Sequence, residues 1–268
     1  MSALNVFLRH DRAWMQADAS LYDQQGNIIA FGPKIVTLSN LRAAISARGL
    51  QGIVPLLGPN LSWQFATFDD MIAQGGLIVR NIYRDFVRSY VPGNAAEKDI
   101  ELVVLGWSEK ENRPRCYTLY SEGLASAAEV EPYTFTPTSE DSEDWFVSPD
   151  LDAEGWSRLG RQGMELGENG FTTAHFDPAK HGTIYMEEQR QRRVDFEQNK
   201  QISIVGGFLA SVEISREGIS EKILHRWEDK IGEPIQPEPR PAFENVTPLK
   251  MNRHERRAAA KQSIYVRV

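Results

Sequence analysis

Apolar positions alternate loosely over Ala3–Leu8, break at the polar turn His10-Asp11-Arg12 and resume over Ala13–Ala17, which predicts an opening β-hairpin. A second pair of strands is expected over Asn27–Phe31 and Lys34–Leu38, separated by the breaker Gly32-Pro33. Ser39 can cap a helix over Asn40–Arg48, with Gly49 as its stop. From Phe68 to Tyr90 the period becomes helical. Ile78, Ile82 and Phe86 form one row at four-residue spacing, and Val79, Tyr83 and Val87 form a second beside it. So wide an apolar face predicts burial in the core, and Gly75-Gly76 divides the stretch into two helices.

Strand patterns return at Ile100–Trp107 and Arg115–Tyr120, around the polar loop Ser108–Pro114, and again near Glu129–Thr136. Weaker helical patterns follow at Asp152–Leu166 and Pro178–Gln198. Ile202–Ser215 and Ile219–Trp227 read as a closing antiparallel pair turned by Arg216-Glu217-Gly218. Helices thus fall between blocks of strands instead of alternating with single strands. That order predicts an α/β (α+β) protein of layered antiparallel sheets with helices outside. The chain contains no internal repeat.

Beyond Trp227 the pattern stops. Pro234, Pro237, Pro239, Pro241 and Pro248 are too dense for a helix or a central strand. The expected division is an α/β domain over residues 1–231 and a Pro-rich extended arm over 232–268. The arm ends in a short basic helix-former, Asn252–Lys261, with Arg253, Arg256, Arg257 and Lys261 against one Glu255. It reads as a solvated charged helix, or as a docking helix for an acidic partner or, weakly, nucleic acid.

Composition narrows the picture. With 268 residues, 41% hydrophobic and 25% charged, the chain can bury a full core. No apolar run approaches the ~20 residues needed to cross a bilayer, so no membrane partner is expected. Arg9, His10, Asp11 and Arg12 interrupt the first apolar run before it can act as a secretory signal. Cys116 is the single cysteine, which fits a reducing, cytoplasmic compartment and removes disulfide and Cys-based zinc scaffolds. It reads as a buried inert thiol, with a nucleophile as the sharper alternative. A net charge of −7 argues against broad coating of nucleic acid. Thr138–Glu154 carries seven carboxylates and no Lys or Arg, but without the spacing of a calcium loop it reads as solvated. The five histidines form no metal-ligand pair, and Gly75-Gly76 and Gly206-Gly207 match no phosphate-loop pattern, so neither metal nor cofactor is expected. His175 and Asp177 could join a serine in a triad, although ordinary roles suit them better.

Candidate chemistry lies in the first fifty residues. Ser2 follows Met1, and a small second residue permits Met removal. Asp18 lies sixteen residues later, at the end of the first hairpin, and Lys34 sixteen beyond that. The runs Ala17-Asp18-Ala19-Ser20 and Gly32-Pro33-Lys34-Ile35, and the small-residue stretch Ala43–Gly49, resemble the proteasome-type N-terminal nucleophile (Ntn) hydrolases. Ile204-Val205-Gly206-Gly207-Phe208 resembles that family's late strands. The resemblance spans roughly Ser2–Trp227 and is carried by its two ends.

It implies a four-layer αββα sandwich and a peptidase-like hydrolysis of a peptide or small amide. Ser2 would be the nucleophile and its own α-amine the base. An unperturbed α-amine titrates near ~7.7–8.0. Lys34 would favour the neutral amine and stabilise the oxyanion, Asp18 would hold Lys34, and Gly49 would offer an oxyanion N–H. Family members assemble into rings or stacked rings, so a homo-oligomer is implied.

The chain departs from the pattern in three places. The stretch Asn199–Val205, where the family places an Asp and a Ser before its late Gly pair, has no Asp and a spacing that does not match. Thr136-Pro137-Thr138-Ser139 is a poor match for its Ser-bearing turn, and Gly49 is one residue out of register. The alternative is therefore a catalytically silent Ntn-fold assembly or interaction protein, such as part of a phage-like particle.

Overall fold

The computed structural model describes residues 3–23, 25–91, 99–138, 145–161, 166–167, 170–171, 176–195 and 201–238. Ser2, His175, residues 196–200 and the basic stretch Asn252–Lys261 lie outside them.

The chain opens with β1 (Leu4–Leu8) and β2 (Arg12–Ala17), paired as the expected hairpin. Next come β3 (Ser20–Tyr22), β4 (Ile28–Phe31), β5 (Val36–Leu38) and β6 (Ala43–Gly49). Three helices follow: α1 (Val54–Gln64), α2 (Phe68–Gln74) and α3 (Gly76–Tyr90). The middle of the chain forms β7 (Ile100–Ser108), β8 (Arg113–Tyr120), α4 (Glu122–Ala128), β9 (Thr136–Pro137) and β10 (Trp145–Ser148). The remainder is α5 (Ala153–Arg161), β11 (Leu166–Gly167), β12 (Gly170–Phe171), α6 (Pro178–Gln191), β13 (Arg193–Asp195), β14 (Gln201–Ser203), β15 (Phe208–Ser215) and β16 (Gly218–Arg226).

Two antiparallel five-stranded sheets organise these elements into a mixed α+β fold. One runs β10-β1-β2-β15-β16 and the other β5-β6-β7-β8-β9. The twofold side-chain period sorts residues between cores. On β7, Leu102 and Val104 join a cluster with Leu57 and Leu61 of α1, Met71 of α2 and Val79 of α3. Val103 and Leu105 face the other way, into a cluster with Leu4, Val6, Met15 and Val212 of the first sheet. On the far face of that sheet, Phe7 and Trp14 pack with Leu159 of α5 and Tyr185 of α6. Two buried polar side chains on the same face are matched from α6. Asn5 exchanges hydrogen bonds with Gln189, and Gln16 donates to the Pro178 carbonyl at 2.8 Å.

Several expectations need correction. Ala43–Gly49 is a strand between β5 and β7, and only a 3-10 turn, Ser39–Leu41, stands where the helix was expected. The helix propensity of Ala yields here to pairing on both edges, with Ala43–Ala47 buried. Lys34–Leu38 does not pair with Asn27–Phe31: β4 pairs with β3, and β5 with β6. Helix α1 escapes the sequence pattern because Pro55, Gly58 and Pro59 look like breakers. Pro55 sits in the first turn, where a missing N–H is harmless, and a Cβ on Gly58 would meet Val36 Cγ1 at 2.7 Å. Near Glu129–Thr136 only Thr136 is strand, since Glu129 and Tyr133 take positive φ. The acidic stretch Thr138–Glu154 contains β10, an edge strand on β1. Leu166 is in a strand, not a helix, and α6 ends at Gln191. Ile202–Ser215 divides into β14 and β15 around Ile204–Gly207.

After β16 the chain stays on the body. Ile28 donates to Glu233 O at 2.9 Å, Gly232 to Ile28 O at 2.8 Å, and Ile235 is buried. No helix among the described residues is long and apolar enough to cross a membrane.

Candidate active site

Asp18 follows directly on β2 and closes a short turn into β3. Its Oδ2 accepts the Ser20 N–H two residues on at 3.1 Å and the Ser20 hydroxyl at 2.7 Å, the local turn that Asp-x-Ser favours. The turn aims the carboxylate inward, where Asp18 is fully buried. Lys34 arrives from the segment after Gly32-Pro33, and its Nζ donates to Asp18 Oδ1 at 2.8 Å. Its backbone carbonyl accepts the Ser46 hydroxyl from β6 at 2.7 Å. Asp18 and Lys34, sixteen residues apart in sequence, thus form a buried ion pair.

Two more donors complete the carboxylate's surroundings. Ala3 N–H donates to Oδ1 at 3.1 Å, and Gly206 N–H to Oδ2 at 3.3 Å. The return contact is Ala19 N–H to Gly206 O at 3.0 Å, so Ile204–Gly207 lies alongside the Asp18 turn. Each donor neutralises part of a charge that would be costly to bury alone.

Burial pulls Lys34 below the ordinary lysine range, and the Asp18 charge and hydrogen bond oppose that pull without cancelling it. A lysine in this state gives up its proton more readily than one in water.

Gly49 stands at the end of β6, before the turn into α1. Its φ of +85° and the Asp99 carbonyl, 2.0 Å from where a Cβ would sit, both require glycine there. Its neighbours are Asp99 and Ile100 at the start of β7. It ends a strand, not the helix expected from the sequence.

Ser2 is the residue bonded to Ala3 N and lies outside the described residues, as does His175, the partner suggested for Asp177. Asp177 instead caps α6, accepting the Ala179 N–H at 3.0 Å. Cys116 is buried between the sheets beside Val103 and Leu105, as an inert thiol would be. Among the described residues no group of three or more His, Cys, Asp or Glu is arranged to hold a metal.

Ser20 and Gly206 stood inside sequence motifs, but nothing in the sequence gave them a role. Their contacts join segments up to 188 residues apart. A scan of protein-family models and a search of curated proteins both found no match to this chain.

Proposed function

We propose that the chain adopts the four-layer αββα sandwich of the Ntn hydrolases and hydrolyses an amide bond with Ser2, Asp18 and Lys34. The layer order is supported by three stacked cores: α1–α3 on the second sheet, sheet on sheet, and α5–α6 on the outer face of the first. The observation that carries the chemistry is one oxygen. Asp18 Oδ1 takes both the Lys34 ammonium and the N–H of Ala3, the residue bonded to Ser2. The start of the chain and the lysine are thereby tethered to the same atom.

With Met1 removed, the Ser2 amine takes the proton of its own hydroxyl as the oxygen attacks the substrate carbonyl carbon. The C–N bond then breaks, the proton passes to the leaving amine, and an ester remains on Ser2. Water attacks that ester and gives a proton to the Ser2 amine; the ester C–O bond breaks, that proton returns to the Ser2 oxygen, and the acid is released. Lys34 steadies the developing negative charge, and the backbone near Gly49 is the proposed oxyanion donor. A peptide or small amide is the substrate class, and a homo-oligomer the working form.

The test has two stages. Intact mass of protein from a bacterial host should show loss of one methionine. Hydrolysis of fluorogenic peptide amides should then disappear in Ser2→Ala and Lys34→Met. Retained Met1, or activity that survives Ser2→Ala, removes this reading.

One observation favours a silent relative. The residues before Gly206-Gly207 are Ile204 and Val205, both buried and apolar, where an Asp and a Ser would support the terminal amine. In that case Asp18 and Lys34 serve as a structural pair within an assembly protein.

A further inference from the structure

A second buried ion pair lies next to the first. Arg190, in the last turn of α6, reaches Asp229 through NH1 at 2.9 Å and NH2 at 2.6 Å, and each side chain is 5% exposed. Arg190 NH1 also donates to the Val205 carbonyl at 2.7 Å, and its guanidinium lies 5.1 Å from the Trp227 ring centre. Asp229 Oδ2 accepts the Gly207 N–H at 2.8 Å. Two consecutive peptide N–H groups therefore go to two different carboxylates, Gly206 to Asp18 and Gly207 to Asp229.

Gly206 fits between them because it has no side chain. A Cβ there would sit 2.6 Å from Asp229 Oδ2 and 3.1 Å from Arg190 NH1. Gly207 has φ +77°, and a Cβ on it would meet the Phe31 ring at 2.5 Å. Space is thus closed on both sides of this backbone, and the bidentate guanidinium fixes it from α6. The carboxylate comes from beyond β16, where Gln236 O and Glu238 O also meet Arg190 and Gln191.

We propose that Arg190 and Asp229 are positioning residues of the Asp18–Lys34 site. By holding Val205 O and Gly207 N–H they set the N–H that Gly206 donates to Asp18, and so the state of Asp18 toward Lys34. The segment Trp227–Glu238 is then part of the site and not a dispensable linker. The proposal rests on reading Asp18–Lys34 as the active pair, but its test does not require Ser2 to be active.

The experiment follows the Lys34 side chain in the full chain by 13Cε NMR titration, with the signal assigned by its loss in Lys34→Met. Asp229→Asn combined with Arg190→Gln removes the grip and leaves the local net charge unchanged, so no unpaired guanidinium acts on Lys34. Loss of the Gly206 donor leaves more of the Asp18 charge to Lys34 and admits water, and both raise the lysine's affinity for its proton. Among the described residues, Asp18 is the charged group that acts on Lys34. The Lys34 midpoint should therefore rise. Amide exchange over Ile204–Gly207 should quicken at least tenfold, while α1–α3 exchange as in the parent. Where hydrolysis is measurable, kcat should fall with KM unchanged. If that double variant is not recovered folded, Arg190→Lys, which keeps the charge and loses the fork, should show the same changes at smaller size. An unmoved Lys34 midpoint in a folded variant overturns the proposal and leaves the pair a fold staple. Absence of hydrolysis in the parent, with the Lys34 shift present, removes the catalytic reading and not this one.

Discussion

Lys34 reaches Asp18 through a 2.8 Å contact, whereas Arg190 grips Asp229 with two nitrogens at 2.9 and 2.6 Å and stacks on Trp227. Both pairs are buried to a similar degree, and one glycine separates their hydrogen-bond shells. The difference lies in the cation. A guanidinium keeps its proton and fixes geometry with its planar fork, while a buried ammonium is a point charge whose proton affinity follows its surroundings. Burial has drawn Lys34 below its ordinary range. One pair thus fixes a backbone, while the other carries a charge whose proton affinity follows its surroundings, though each uses the same kind of carboxylate.

The largest effect should come from breaking the lysine pair. Lys34→Met leaves Asp18 charged and buried, and chemical denaturation should show a loss of about 3–5 kcal/mol. Adding Asp18→Asn removes the stranded charge and should restore part of that stability. A double variant no better than the single one would contradict the charge argument. Arg190→Lys retains charge but loses fork contacts, and should cost about 1.5–3 kcal/mol by the same measurement.

A smaller effect sharpens the contrast through pH. The folded chain releases the Lys34 proton below the unfolded value near 10.5. Between the two values the unfolded chain binds more protons, so stability should rise with pH across that window. Below the window the full cost of burying the charge is present. The slope is at most about 1.4 kcal/mol per pH unit for one proton. It should appear in the parent minus Lys34→Met difference, which isolates this proton. The smallest change belongs to an exposed pair: Asp85→Asn, which breaks the Arg88 contact on α3, should shift stability by only about 0.3–0.5 kcal/mol.

Much of the fold was legible because local rules and tertiary packing agreed. The β1–β2 hairpin, the break at Gly75-Gly76, the β7–β8 pair and the β15–β16 turn each follow from alternation, period or turn residues. The misread elements are those where packing overrode propensity. Ala-rich β6 became a strand because it pairs on two sides, and α1 tolerates its prolines and glycine because it lies against β5. The strand β10 was hidden by the carboxylates that precede it in sequence.

For the site, the sequence by itself determined which groups were available: an acid and an amine at even spacing near the chain start, and a late pair of glycines. Only the tertiary structure decided that Lys34 meets Asp18, that Ala3 shares the same oxygen, and that Asp229, from the stretch beyond Trp227 where the pattern stops, holds the next peptide to Gly206. The physical reason is range. Periodicity and turn chemistry act over a few residues, while a buried charge must find its partners wherever the chain brings them, here as far as 188 residues away.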